Sequence, residues 1–94
     1  MKKYRQISII IPVFNEEKTI QELIRRVQNV NLDGLEKEIV VVDDGSEDRT
    51  AELLREINGI RCFTHSCNEG KGAAIKTGIS HATGEIFLLQ DADL

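Results

Sequence analysis

Residues 38–50 read EIVVVDDGSEDRT. The β-branched run Ile39–Val42 passes without a polar break into Asp43, Asp44 and Gly45. A strand with one wet face alternates apolar and polar residues, whereas a strand covered on both faces reads as a continuous apolar run. The stretch therefore predicts a buried strand over Glu38–Val42 that ends abruptly in acids. Working outward, the same design recurs: ISIIIPV (Ile7–Val13) is followed by FNEE, and EIFLLQ (Glu85–Gln90) by DADL. A further strand is predicted over Ile60–Thr64.

Helical spacing fills the intervals. Ile20, Leu23, Ile24, Val27 and Val30 fall on one helical face, and Thr19 with Glu22 has the spacing of a capping box. A second helix is expected from about Asp48 to Ile57, burying Ala51, Leu54 and Ile57. A third is expected over Gly72–His81, with Ile75, Gly78, Ile79 and Ala82 at helical spacing and Gly84 as its C-terminal cap. NVNLDGLEKE, with its Asn, Asp and Gly residues, reads as a surface loop. Strand and helix thus alternate to give an α/β fold, a mostly parallel sheet with flanking helices joined by right-handed crossovers.

The 94 residues make one small domain with room for a single core. The formal charge is -4 and the basic residues are scattered, so nucleic acid is not expected as a partner. Cys62, His65 and Cys67 in CFTHSCNEG fall short of a four-ligand zinc site and are read as ordinary, reduced residues of a cytoplasmic protein. The basic, apolar start MKKYRQISIIIPVF runs through Pro12 into NEEK with no small-residue cleavage site, which favours a first strand over a signal peptide. No apolar window is long enough to span a membrane.

In an open parallel sheet, ligands bind beyond the carboxyl ends of the strands where the strand order reverses. The conspicuous polar groups collect at that edge: PVFNEE after the first strand, DDGSED after the second, NEGKG after the third and QDADL after the fourth. If the second and fourth strands flank the first, Glu16, Asp43, Asp44, Asp91 and Asp93 converge. Two carboxylates about 4 Å apart repel by roughly 4 kcal/mol at an effective dielectric of 20, so such a cluster asks for a cation. Asp91 and Asp93 are hard oxygen donors suited to Mg²⁺ or Mn²⁺ shared with a diphosphate, and Lys71 near a helix start suits a phosphate. DDGS is equally what a turn and helix cap require. GKGAAIKT is neither a P-loop nor a dinucleotide fingerprint, because Ile75 stands where each pattern needs glycine.

Together, ISIIIPVFNEEKTI, EIVVVDDGSEDRT, NEGKGAAIKTGISHATGE and FLLQDADL resemble the N-terminal, nucleotide-binding half of a family 2 glycosyltransferase of the GT-A fold, with the nearest likeness to dolichyl-phosphate mannosyltransferase-like enzymes. The resemblance covers residues 1–94 and ends at the family's D-x-D motif. It implies that Pro12, Phe14 and Glu16 line the base and ribose pocket, that Asp44 accepts a hydrogen bond from the base while Asp43 supports the turn, and that Asp91 and Asp93 hold the metal and, through it, the diphosphate. Where the family usually has tyrosine this chain has Phe14, which keeps stacking and loses a phenol hydrogen bond.

The implied activity is inverting transfer of a hexose from a UDP- or GDP-sugar to a polyprenyl phosphate or glycan acceptor, with the parent at the inner face of the membrane. The catalytic base and acceptor site would follow Leu94, so the chain alone is expected to be inactive. A non-catalytic nucleotide-binding module of the same fold is the alternative. A signalling receiver domain fits less well, since its acid pair belongs after the first strand. The apolar fourth strand would lie at an open edge, predicting self-association.

Overall fold

The computed structural model describes residues 5–92. The order of elements is β1 (Gln6–Val13), α1 (Ile20–Asn29), β2 (Glu36–Asp43), α2 (Thr50–Arg55), β3 (Arg61–Thr64), α3 (Lys71–His81) and β4 (Ile86–Leu89). The strands form one sheet in the order β3-β2-β1-β4, and every pairing is parallel. The strand order reverses at β1, which β2 and β4 flank, so the condition set for the convergence of the polar loops is met.

The alternation of side chains along β1 and β2 divides the core in two. Ile9, Ile11, Val13, Ile39 and Val41 face one way and pack with Ile20, Leu23, Ile24 and Val27 of α1 and Leu53 and Leu54 of α2. Ile10 and Val42 face the other way, toward α3. There Gly78 permits close contact: a Cβ would lie 2.5 Å from Ile10 Cγ2. Ile10, Ile11, Val40, Val41 and Val42 are all 0% exposed, which confirms coverage on both faces for the central pair of strands.

β4 does not follow that pattern. Phe87, Leu88 and Leu89 are 47%, 46% and 53% exposed. Its register to β1 runs from Ile7↔Ile86 to Ile10↔Leu89, and among the described residues no strand pairs on its other side.

Several local expectations are also revised. Thr19 occupies the N-cap of α1 without a side-chain cap; its hydroxyl donates instead to Glu16 Oε2 at 3.1 Å. Glu22 is turned outward to Arg25 and Arg26. Val30 lies beyond the helix and is 49% exposed. In α2, Leu53 joins Leu54 in the core while Ala51 is only half-buried. The buried face of α3 is Ala74 and Gly78, with Ile79 exposed. Gly84 does not cap α3: it lies against β1, where a Cβ would stand 2.5 Å from Ser8 Oγ, and its N–H donates to that oxygen at 2.8 Å.

Candidate functional site

The loops after β1, β2 and β3 are locked together by the polar residues noted in the sequence. Asn15 takes a left-handed conformation (φ 52°). This lets its N–H donate to Ser46 Oγ at 2.9 Å while its side-chain oxygen accepts from the Glu47 N–H at 2.8 Å. The next amides continue the clasp, with Glu16 N–H on Thr50 Oγ1 at 2.9 Å and Glu17 N–H on Asp48 Oδ2 at 3.2 Å. Gly45 (φ +73°) passes so close to the β3–α3 loop that a Cβ would lie 2.5 Å from the Cys67 carbonyl carbon. Only glycine combines that conformation with that approach.

These loops border an open cleft of about 440 Å³ lined by Pro12, Val13, Phe14, Glu16, Asp44, Asn68, Gly70, Lys71, Ala74, Asp91 and Ala92. Of the residues singled out in the sequence, Pro12, Phe14, Glu16, Asp44, Lys71 and Asp91 lie together along this cleft. Asp43 is not part of the lining. It is fully buried, with Oδ1 accepting from the Ser46 N–H at 3.1 Å, so it shapes the turn rather than the cleft wall. Asp43 Oδ2 has no hydrogen-bond partner. Asp93 lies outside the described residues.

Among the described residues, two of the acids, Asp44 and Asp91, have hydrogen-bonding or charged partners. Asp44 is 3% exposed, and its carboxylate accepts from His65 Nδ1 at 2.8 Å, Glu69 N–H at 2.9 Å and Gly70 N–H at 2.8 Å. Burial pushes the Asp44 carboxyl upward, but these donors outweigh it and hold the group below the ordinary carboxylate range. Asp91 is paired with Lys71, both largely exposed. At these two acids the negative charge is met by backbone amides and His65 on Asp44 and by a lysine on Asp91. Among the described residues no group of three His, Cys, Asp or Glu side chains could hold a metal. Asp91, the first carboxylate of the D-x-D sequence and the one that lies among the described residues, lines the cleft.

His65 was read from the sequence only as an incomplete metal ligand. Its contact with Asp44 follows from the strand register, which pairs Asp43 with Thr64 and so brings the next residue of each chain segment side by side, a neighbourhood that the sequence alone does not give. Val13, Ala74 and Ala92 were not anticipated as lining, since small apolar residues carry no chemical signal of a ligand, whereas Asn68 and Gly70 belong to the NEGKG loop already placed at this edge. Cys62 and Cys67 are free thiols, and burial raises the pKa of Cys62.

The model of the family described as "Glycosyl transferase family 2" matches residues 8–94. The chain belongs to this family. Family members with similar sequences include a dolichol-phosphate mannosyltransferase of Pyrococcus furiosus, 39% identical over 95% of this chain and 26% of that protein. An undecaprenyl-phosphate 4-deoxy-4-formamido-L-arabinose transferase of Pseudomonas aeruginosa is 42% identical over 94% of this chain and 28% of that protein. Among solved structures, the Pyrobaculum calidifontis mannosyltransferase in complex with GDP-Man and Mn²⁺ superposes with a TM-score of 0.82 at 32% identity, covering 96% of this chain and 28% of that one. S. aureus TarS 1-349 in complex with UDP gives 0.84 at 30% identity, covering 94% and 27%. The parallel α/β sheet implied by the family resemblance is the one found. The chain spans about a quarter of the length of these relatives. No helix among the described residues is long and apolar enough to cross a membrane.

Proposed function

We propose that this chain is the nucleotide-sugar-binding part of an inverting glycosyltransferase that moves a hexose from a UDP- or GDP-sugar to a polyprenyl phosphate or glycan acceptor. The observation that carries the proposal is a single cleft at the carboxyl ends of β1 and β2 that joins an exposed aromatic, a buried acid and a cation–carboxylate pair. Phe14, 40% exposed on the cleft wall beside Pro12, offers a face for a base to stack on. Asp44 at the floor accepts from the base, and Glu16 borders the ribose. Lys71 and Asp91 border the diphosphate end. The exposed pair they form is weak, about 0–1 kcal/mol, so both groups exchange partners easily when a charged ligand arrives.

Asp91 and Asp93 would hold Mg²⁺ or Mn²⁺, consistent with the Mn²⁺ of the Pyrobaculum complex. The ion, when bound, neutralises charge on the leaving diphosphate. The polyprenyl phosphate acceptor is supported by the names of the Pyrococcus and Pseudomonas relatives, and would place the whole protein at the inner face of a membrane. The 94-residue chain would pair with a second copy through the exposed residues of β4.

Titration calorimetry of UDP and GDP with Mn²⁺, repeated in EDTA, tests the reading. At least one nucleotide binds, and more tightly with the ion. Equal affinity in both conditions overturns the metal assignment, and no binding of either nucleotide by the folded chain overturns the function.

A further inference from the structure

Behind Asp44 stands a second layer of side chains. His65 Nδ1 lies 2.8 Å from Asp44 Oδ1, and His65 Nε2 lies 2.8 Å from Thr77 Oγ1 on α3. The ring is 11% exposed and held on both edges; Glu69 Oε2 also approaches Nδ1, at 3.8 Å. An ionised carboxylate only accepts, so Nδ1 carries the proton, and in the neutral ring Nε2 then accepts from the Thr77 hydroxyl. A directed chain of hydrogen bonds therefore runs from the middle of α3, through His65, to the floor of the cleft.

The acceptor capacity of Asp44 shows what this chain accomplishes. A carboxylate has about four lone-pair positions. His65 and the Glu69 N–H share Oδ1 at 2.8 and 2.9 Å, while the Gly70 N–H takes one position on Oδ2 at 2.8 Å. One position on Oδ2 is left in a residue that lines the cleft. Without the His65 donor, Oδ1 would keep a second open position and the carboxylate would lose one of the anchors that fix its rotation.

We propose that His65, held by Thr77, is a positioning residue that fixes the Asp44 carboxylate so that the last acceptor position of Oδ2 faces a ring N–H of the nucleobase. This rests on the nucleotide reading given above. His65 is not part of the cleft lining and acts through Asp44. The recognised group is an N–H beside a ring carbonyl, the arrangement found in uracil and guanine. A ring nitrogen without a proton would meet the carboxylate lone pair head-on.

The test compares His65→Asn, His65→Gln and His65→Phe by calorimetry with UDP, GDP and inorganic pyrophosphate in Mn²⁺, alongside thermal unfolding of each empty chain. The Asn amide reaches the position of Nδ1 and keeps the donor to Asp44. The Gln amide reaches that of Nε2 and keeps only the Thr77 contact. His65→Asn should stay within about threefold of the wild-type affinity for the nucleotide that binds, while His65→Gln and His65→Phe lose about tenfold or more, the effect of one charge-assisted hydrogen bond. Pyrophosphate binding should be the same in all. Affinity that simply follows thermal stability, with Asn and Gln alike, overturns the proposal. So does an equal loss for pyrophosphate, or a His65→Gln chain that binds as well as wild type. A folded wild-type chain that binds neither UDP nor GDP overturns the nucleotide reading and this one with it.

Discussion

Asp44 and Gly45 are adjacent in sequence and do different work. Asp44 gathers donors from the β3–α3 loop and lines the cleft, so Asp44→Ala should weaken nucleotide binding by about 10–100-fold whether or not metal is present, the effect of losing a charge-assisted contact. Calorimetry in Mn²⁺ and in EDTA checks it; an effect that vanishes without the ion would move Asp44 into the metal shell. Gly45 is not among the residues that line the cleft, yet a Cβ there meets the Cys67 and Asn68 backbone at 2.5 and 2.6 Å. Gly45→Ala should cost at least about 2 kcal/mol, read by denaturant unfolding, because strained conformation and overlap with backbone add. The sequence made both residues conspicuous as DDG but left turn and ligand readings equal for the pair. The structure separates them by direction: Asp43 is turned into the protein and Asp44 to the cleft.

At the scale of elements, the opposite end of the sheet holds the α3–β4 connection in place. Glu38 on β2 accepts from Ser8 Oγ at 2.6 Å, the Thr83 N–H at 2.8 Å and Arg61 at 2.5 Å, so three segments converge on one carboxylate whose side chain is 8% exposed. Burial raises its pKa, but Ser8, the Thr83 N–H and Arg61 together bring it from the ordinary 4.5 to about 2. A depressed folded pKa means that the stabilisation is fully present above the unfolded value and is lost as pH falls through the folded one. The stability gap between wild type and Glu38→Gln should therefore be constant above pH 4.5 and shrink between 4.5 and about 2, in urea unfolding at several pH values. At neutral pH the gap should be about 1–3 kcal/mol. Element type was readable from periodicity, whereas this anchoring was not. Glu38, Arg61 and Thr83 are far apart in the chain, and each alone looks like a solvated surface residue. Gly84 illustrates the same limit: it was read as a cap from its position after a helix, and it is glycine because Ser8 leaves no room.

At the scale of the whole molecule, β4 places the exposed side chains of Phe87, Leu88 and Leu89 at a sheet edge that no other strand covers among the described residues. Backbone groups without a strand partner, beside apolar side chains, form a template for another strand. Burying one Leu or Phe side chain stabilises by roughly 1.5 to 3 kcal/mol, enough in aggregate to offset the entropy of association. The 94-residue chain should self-associate at micromolar concentration in sedimentation, most simply as a two-fold dimer, and Leu88→Lys or Phe87→Pro should disperse it. A monomer throughout that range, or a dimer indifferent to both substitutions, would show that this edge is protected. The apolar runs and helical spacings by themselves determined the parallel α/β fold and the edge where the polar loops meet, because period and run length are set by local backbone geometry. IFLL marks where that logic stops: its composition is that of a covered strand, but coverage depends on what lies alongside. The open edge at β4 was expected only through the family resemblance, whereas the tertiary structure alone decided the strand order, the outward turn of Glu22, and the link from Thr77 through His65 to Asp44. Each depends on groups distant in the chain meeting in space, and a linear pattern carries no distance between them.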